Sequence, residues 1–197
     1  MSTKTVRISA AVGATALALA GITTGVSFAG ETPAPQPAGK LSAADSFLGG
    51  PPSVPAALVP PPGNTLTAVF KAKGVQIYGC ATGAWTLTEP AATLAGLNLK
   101  PVRPATALHF RGPSWESDED GTLVEGKTPV SAPSDTPGSI PQLLVTAATT
   151  RGTGVFGGVT YIQRLGTVGG VAPATTCVPG DTTAVKYQAV YRFFKKS

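Results

Sequence analysis

Residues 109–116 hold the densest group of chemically functional side chains in the sequence: His109, Arg111, Trp115 and Glu116. An imidazole and a carboxylate are common general acid–base groups, and an indole offers a flat surface for stacking. His109 and Glu116 are therefore the candidate catalytic pair, and Arg111 and Trp115 are candidate ligand-binding residues. A structural role for all four is favoured, because a lone histidine more often packs than catalyses.

A second polar pair interrupts an otherwise apolar run. Gln163 and Arg164 follow Tyr161-Ile162 and precede Leu165 in a segment that has the pattern of a strand. Polar groups at such positions can bind a ligand, so both residues join the candidate ligand-binding set.

Four carboxylates lie close together at Asp118, Glu119, Asp120 and Glu125. Oxygen-rich loops bind Ca²⁺, which makes Asp118, Asp120 and Glu125 candidate metal ligands. The spacing is not that of an EF-hand, and Asp120 precedes a glycine as in many exposed turns. We therefore favour a solvated turn and expect neither a metal nor a cofactor.

Residues 152–157, Gly-Thr-Gly-Val-Phe-Gly, match the G-x-G-x-x-G pattern of dinucleotide-binding proteins. In those proteins a helix follows, and its N-terminal amides hold the pyrophosphate. Here residues 158–162 are a glycine followed mainly by β-branched and aromatic residues, which indicates a strand. We predict a β-hairpin turn and no nucleotide-dependent dehydrogenase activity.

The composition indicates one turn-rich folded domain. The chain has 197 residues, of which 13% are charged, and it contains 24 glycines and 19 prolines. This length fits one domain with a tail, and the glycines and prolines favour turns over long helices. The net charge is +5, but no basic run exceeds Lys195-Lys196, so we expect no nucleic-acid partner.

Residues 1–29 have the pattern of a secretory signal peptide. Lys4 and Arg7 precede an uncharged run that extends to Val26, and small residues follow at the positions a signal peptidase recognises. A membrane anchor is the alternative, but glycines and threonines dilute the run and no basic cluster follows it. We predict cleavage after Ala29, a secreted or extracellular location, and no stable membrane insertion afterwards.

Residues 30–63 are a proline-rich lead, and residues 64–197 are the predicted β-rich domain. Proline fixes φ and cannot donate to a hydrogen-bond ladder, so we expect the lead to be an extended linker, compatible with a cell-wall location. In an oxidising medium Cys80 and Cys177 are expected to form a structural disulfide.

Period-two patterns indicate strands through most of the domain. Thr65–Ala72 and Val75–Cys80 are predicted as a hairpin around Lys73-Gly74, and Ala91–Leu99 as a helical turn or a loop. The clearest strand is Ala184–Phe194, in which every second residue from Val185 to Phe193 is apolar. Further strands are predicted at Trp85–Thr88, Ala107–Arg111, Thr122–Glu125, Gln142–Thr150 and Val159–Leu165.

The predicted fold class follows from these strands and from the lack of an amphipathic helix pattern. It is all-β and mostly antiparallel: a single-domain β-sandwich or small barrel with long Gly/Pro-rich loops and at most short helical turns.

Several short motifs make a specific combination over residues 65–194: Gly74–Cys80, His109–Glu116 with Asp120-Gly121, Ile140–Leu144, Tyr161–Leu165, Gly169–Pro173 ahead of Cys177, and the closing Tyr187–Phe193. The combination resembles a family of secreted bacterial and fungal proteins catalogued as domain of unknown function 3455. The resemblance implies a secreted domain with paired cysteines and no established activity. Some fungal relatives carry a dehydrogenase label, which the glycine motif gives no reason to transfer. The sequence departs from the family at Gln142, where relatives usually have Trp, and we expect an aromatic contact to be lost there.

The function expected from the sequence is a secreted, disulfide-bonded β-domain that binds a small molecule, a glycan or a cell-surface ligand, or has a structural role. A binding or structural module is favoured over an enzyme, because no complete catalytic set is visible. The alternative is a secreted hydrolase-like enzyme that uses His109 and Glu116.

Overall fold

The computed structural model describes residues 42–197, and the strands of this part form one antiparallel sheet that closes into a barrel. Each strand pairs with the next along the chain, and the last pairs with the first. The strands are β1 (Asn64–Cys80), β2 (Trp85–Leu99), β3 (Val102–Phe110), β4 (Ser114–Ser117), β5 (Leu123–Ala132), β6 (Gln142–Arg151), β7 (Val159–Gly169) and β8 (Thr182–Lys196). The all-β prediction is confirmed, and of the two architectures left open the structure has the barrel. The predicted signal peptide and residues 30–41 of the lead lie outside the described residues.

Alternate residues of each strand face the barrel interior and the outside. In β8 the side chains of Tyr187, Ala189, Tyr191 and Phe193 are buried in the core, as the period-two pattern predicts. Aromatic rings in the core alternate with alanines from the facing strands, so that the interior of a small barrel is filled at close packing.

The predicted hairpin around Lys73-Gly74 is wrong, because β1 runs without interruption from Asn64 to Cys80. A Cβ atom at Gly74 would collide with the backbone of Ala91 and Ala92 in β2. The glycine therefore allows two paired strands to approach closely inside a strongly bent sheet, which is the other common reason for a glycine within a strand.

The predicted helical turn or loop at Ala91–Leu99 is also wrong, since this segment is the second half of β2. Ala92 and Leu94 are buried while Ala91, Thr93 and Ala95 are exposed. Alanine and leucine favour helices in isolation, but pairing with β1 on one side and β3 on the other overrides that preference.

Strand connections in an antiparallel barrel alternate between its two ends. The loop of residues 152–158 joins β6 to β7 at the end that we call the closed end. There Phe156 is fully buried, with ring centroids 5.9 Å from Phe70 and 4.5 Å from Phe193. A Cβ atom at Gly157 would collide with the carbonyl oxygen of Gly152, so the loop needs glycine to fold this tightly. The G-x-G-x-x-G segment thus fills one end of the barrel and is followed by a strand.

The connections of residues 81–84, 111–113, 133–141 and 170–181 lie at the opposite end, which we call the open end. The predicted disulfide is confirmed here: Cys80 ends β1 and is bonded to Cys177, with the two Cα atoms 6.0 Å apart. Beside the disulfide, the backbone amide of Cys80 donates to the carbonyl of Asp181 at 2.9 Å, and the amide of Gly180 donates to the carbonyl of Cys80 at 3.0 Å. The long loop before β8 is therefore held to β1.

The described part of the lead contains a short helix, α1 (Ala43–Leu48), and one 3₁₀ turn at Ala56–Leu58. Leu58 is fully buried against Leu144 and Leu165 on the outer surface of the barrel. Among residues 42–197 no helix has the length and apolar character needed to span a membrane.

We expect the double variant Cys80→Ser/Cys177→Ser to unfold at a lower urea concentration than the wild type. A cross-link between positions 97 residues apart restricts the unfolded chain, and its removal is expected to cost about 2–5 kcal/mol. Urea unfolding followed by tryptophan fluorescence measures the loss. A reducing agent should bring the wild type to the midpoint of the variant and leave the variant unchanged; a wild type that does not respond to reduction would contradict the prediction.

Candidate functional site

A cavity of about 420 Å³ lies in the barrel toward its open end. Its wall includes three of the four predicted ligand-binding residues, Arg111, Trp115 and Arg164, together with His109. These residues come from the turn between β3 and β4, from β4, from β7 and from β3. The barrel therefore brings together side chains that lie up to 55 positions apart in the chain.

His109 and Trp115 form a stacked pair in the cavity wall. They are paired residues of β3 and β4, so their side chains point to the same face of the sheet. The ring centroids are 4.4 Å apart with an interplanar angle of 3°, and both rings meet Tyr191 edge-on at 5.2 and 5.6 Å. One face of the indole is thereby occupied by the imidazole, which fixes both rings.

The imidazole of His109 is neutral at pH 7. Burial lowers the pKa of His109 to about 4; the hydrogen bond to Ser114 opposes this shift, and the charge of Arg164 adds to it. The Nδ1 atom lies 2.8 Å from the carbonyl oxygen of Ser114. Because a carbonyl only accepts, Nδ1 carries the proton and Nε2 keeps its lone pair as an acceptor.

The structure does not bring Glu116 to His109. Glu116 is paired with Leu108, whose side chain is exposed, so both point outward while His109 points inward. The carboxylate of Glu116 lies 3.7 Å from the guanidinium of Arg151 on the outer surface. A general acid–base pair made of His109 and Glu116 would need both side chains on one side of the wall.

Gln163 lies outside the cavity, because neighbouring residues of a strand point to opposite faces. Its Nε2 donates to the carbonyl of Leu58 at 2.7 Å, and its Oε1 accepts from Nη1 of Arg192 at 3.0 Å. Gln163 therefore holds the lead against the barrel, whereas Arg164 faces the interior.

Gln76, which the sequence patterns did not single out, lines the cavity from β1. Its side chain is 2% exposed, and neither its Oε1 nor its Nε2 has a hydrogen-bond partner in the described part of the chain. The indole Nε1 of Trp115 is also buried without such a partner. Buried amides almost always have partners, so unpartnered polar groups in a cavity wall are suited to bind another molecule.

Among the described residues, one cationic side chain of the cavity wall, Arg164, has no carboxylate partner. Arg111 pairs with Glu89 through two contacts of 3.1 and 3.3 Å at the rim. Arg164 is half-buried and donates from Nε and Nη2 to the carbonyl of Pro141 at 3.2 and 2.9 Å. Within residues 42–197 no carboxylate forms an ion pair with Arg164.

The three candidate metal ligands do not converge, and residues 42–197 contain no group of three or more His, Cys, Asp or Glu side chains that could hold a metal ion. Asp120 instead holds the closed end. Its Oδ1 accepts from the backbone amide and hydroxyl of Thr122 at 3.0 and 2.6 Å, and its Oδ2 accepts from the amide of Val155 at 2.9 Å. Glu125 accepts from the hydroxyl of Thr149 at 2.8 Å, and Asp118 is exposed.

Gln142, the departure from the family pattern, is fully buried on the outer side of β6. Its Nε2 donates to the carbonyl of Pro133 at 3.1 Å, and its Oε1 accepts from the amide of Gly166 at 3.0 Å. The amide thus joins the loop after β5 to β7 by hydrogen bonds at this position.

Fold and site together define a class of protein: a closed antiparallel barrel with a partly polar cavity at one end and a disulfide beside it. The family model described as "Protein of unknown function (DUF3455)" matches residues 61–195, and the chain belongs to this family. The match covers every strand of the barrel except the final residue of β8. No curated protein and no solved structure matches the chain.

We expect acid to destabilise the wild type more than the variant His109→Phe between about pH 6.5 and pH 4. The unfolded histidine binds a proton near pH 6.5 and the folded one only near pH 4, so acid favours the unfolded state in this range. The difference reaches about 3 kcal/mol at pH 4, since each pKa unit corresponds to about 1.4 kcal/mol. Urea unfolding at pH 7, 5 and 4 measures it. The chain has one histidine, so its NMR titration is unambiguous, and a folded-state pKa near 6.5 would contradict the prediction.

We expect Asp120→Asn to weaken the closed end in a pH-dependent way. Burial opposes ionisation of Asp120, but the hydrogen bonds from Thr122 and Val155 outweigh it and lower the pKa below 3.8. The carboxylate therefore stabilises the fold above pH 4, and this contribution is lost as the pH falls through the lowered pKa. Solvent screening limits the loss to about 1 kcal/mol at pH 7.

Thermal unfolding at pH 7 and pH 2.5 tests this contribution. Asp118→Asn is the matched control, because that carboxylate has no side-chain hydrogen bond within residues 42–197. Equal effects of the two substitutions at pH 7, or an effect of Asp120→Asn that is no smaller at pH 2.5 than at pH 7, would count against the role of the Asp120 carboxylate.

Proposed function

We propose that this protein is a secreted, non-enzymatic binding protein that holds one small organic molecule in the cavity at the open end of the barrel. The observation that carries the proposal is Gln76, whose buried amide lines the cavity with both polar atoms unpartnered in residues 42–197. Leaving such an amide unsatisfied costs about 1–3 kcal/mol, and a bound molecule can recover that cost.

The size and chemistry of the cavity support a small organic molecule over a polymeric glycan. A volume of about 420 Å³ falls within the range of small-molecule sites. Leu143 and Val145 line the cavity together with the edges of aromatic rings, and only a few polar groups are placed among them. Apolar walls with sparse polar groups are typical of sites that bind compact ligands.

Binding is favoured over catalysis by the state of the candidate catalytic residues. His109 donates to a backbone carbonyl and stacks on Trp115, and no carboxylate within residues 42–197 hydrogen-bonds to it to stabilise a positive charge. Glu116 lies on the other side of the wall. The neutral imidazole can still serve as a hydrogen-bond acceptor for a ligand through Nε2.

Secretion is supported by the N-terminal sequence and by the cysteines. Residues 1–29 have the pattern of a cleavable signal peptide, and Cys80 and Cys177 are disulfide-bonded. Structural disulfides of this kind belong to oxidising compartments. A protein released from the cell would meet its ligand in the medium or at the cell surface.

A thermal-shift screen of small organic compounds tests the binding function. A compound that binds only the folded state raises the melting temperature, by an amount equivalent to about 2.7 kcal/mol at a hundred times its dissociation constant. We expect stabilising compounds for the wild type and none for Leu143→Trp, because the larger side chain fills the cavity.

Val168→Trp is the matched control, since Val168 lies in β7 and its side chain is exposed. It should respond to the same compounds as the wild type. A screen without any stabilising compound, or one in which Leu143→Trp is stabilised as strongly as the wild type, would overturn binding in the cavity.

A further inference from the structure

We infer that the cavity selects a small organic monoanion, a carboxylate on a compact apolar body, and that Arg164 binds the carboxylate. The inference rests on the proposed function and names the class of ligand. It is carried by the charge balance of the wall, by the donors that remain free beside Arg164, and by the apolar residues that line the rest of the cavity.

Within residues 42–197, the charge balance leaves Arg164 as the one uncompensated charge of the cavity wall. Glu89 and Arg111 neutralise each other at the rim, and His109 is uncharged. A ligand that covers the cavity removes water from the half-buried guanidinium of Arg164. Removing water from an unpaired charge is costly, so a ligand with an opposite charge binds better than a neutral ligand of the same shape.

The hydrogen-bond donors near Arg164 match a carboxylate. Arginine has five N–H groups. Two of these donate to the carbonyl of Pro141 and another to the hydroxyl of Tyr191, which leaves two, the number that a carboxylate accepts. The Nε2 of Gln76 and the Nε1 of Trp115 are further donors in the same wall without partners in residues 42–197. A guanidinium binds a carboxylate through two parallel hydrogen bonds, and amide and indole donors can complete the shell.

The rest of the wall favours an apolar body on that carboxylate. Leu87, Pro90, Pro113, Leu143 and Val145 line the cavity and offer no hydrogen-bonding side chain. Burial of apolar ligand surface against them contributes about 25 cal/mol per Å². An inorganic anion or acetate would satisfy Arg164 but would leave this surface in contact with water.

Calorimetric titration with matched pairs of probes tests the inference. Hexanoate and phenylacetate carry the charge, hexanol and phenylacetamide have the same bodies without it, and acetate has the charge without the body. We expect the two longer carboxylates to bind the wild type about tenfold or more tightly than their neutral counterparts and than acetate.

Variants at Arg164 assign the effect to one residue. Arg164→Gln should lower the affinity for hexanoate and phenylacetate to that for their neutral counterparts. The affinity for hexanol should not change, which also shows that the cavity is intact. Arg164→Lys keeps the charge and should retain part of the preference, although lysine cannot form two parallel hydrogen bonds. Arg103→Gln is the control, because Arg103 is an exposed arginine that pairs with Glu119 at the closed end of the barrel, away from the cavity.

The outcomes separate the inference from the function on which it rests. If neutral and charged probes bind the wild type equally and Arg164→Gln changes neither, the charge selection is wrong and the binding function stands. If acetate binds as tightly as hexanoate, the inferred requirement for an apolar body is wrong. If no probe binds and the compound screen also finds none, both the inference and the binding function are wrong.

Discussion

Closure of the sheet is the constraint on which the rest of the structure depends. Once β8 pairs with β1, the number of strands fixes the width of the interior, and the inward residues must fill that width or leave a cavity. At the closed end the buried rings of Phe70, Phe156 and Phe193 pack against one another in the interior. At the open end no loop inserts an equivalent ring, so the interior remains accessible and a cavity forms there.

The barrel wall is a single β-sheet, so the alternation of side chains along each strand decides whether a polar residue faces the interior or the outer surface. Arg164 and Gln163 are neighbours in the sequence, yet one faces the cavity and the other binds the lead on the outside. The same rule separates His109 from Glu116. The stacked pair of His109 and Trp115 has two roles, since it is part of the core and also part of the cavity wall.

Sequence patterns predicted the parts of the fold that follow from the alternation of apolar and polar residues along a strand and from the pairing of cysteines. The all-β class, the inward face of β8 and the disulfide were predictable, because a period of two and a pair of cysteines are visible in the chain itself. The continuity of β1 across Gly74 and the strand at Ala91–Leu99 were not, since both depend on contacts between β1 and β2 that a linear pattern does not contain. Closure into a barrel depends on a pairing between the first and last strands and was likewise not visible.

The candidate site was predictable in part and for a physical reason. Arg111, Trp115 and Arg164 could be named by residue type, but which of them share a space depends on strand register. The position of Gln76 could have been found from a signal in the sequence. It lies in the same alternating series as Phe70 and Ala72 along β1, which places a polar residue on the core-facing side of the strand. A single uninterrupted β1 would have had to be assumed before that signal could be read.

The pairing of β1 with β8 also sets the order of events when the chain folds. The hydroxyls of Thr65 and Ser197 are 2.6 Å apart although 132 residues separate them in the sequence. The sheet cannot close before β8 has been synthesised, and contacts between such distant segments make folding slow compared with that of helical proteins. The closed barrel therefore cannot form on a nascent chain until β8, residues 182–196, is available to pair with β1. Late closure is compatible with the proposed secretion, because passage through a narrow export channel requires an unfolded chain.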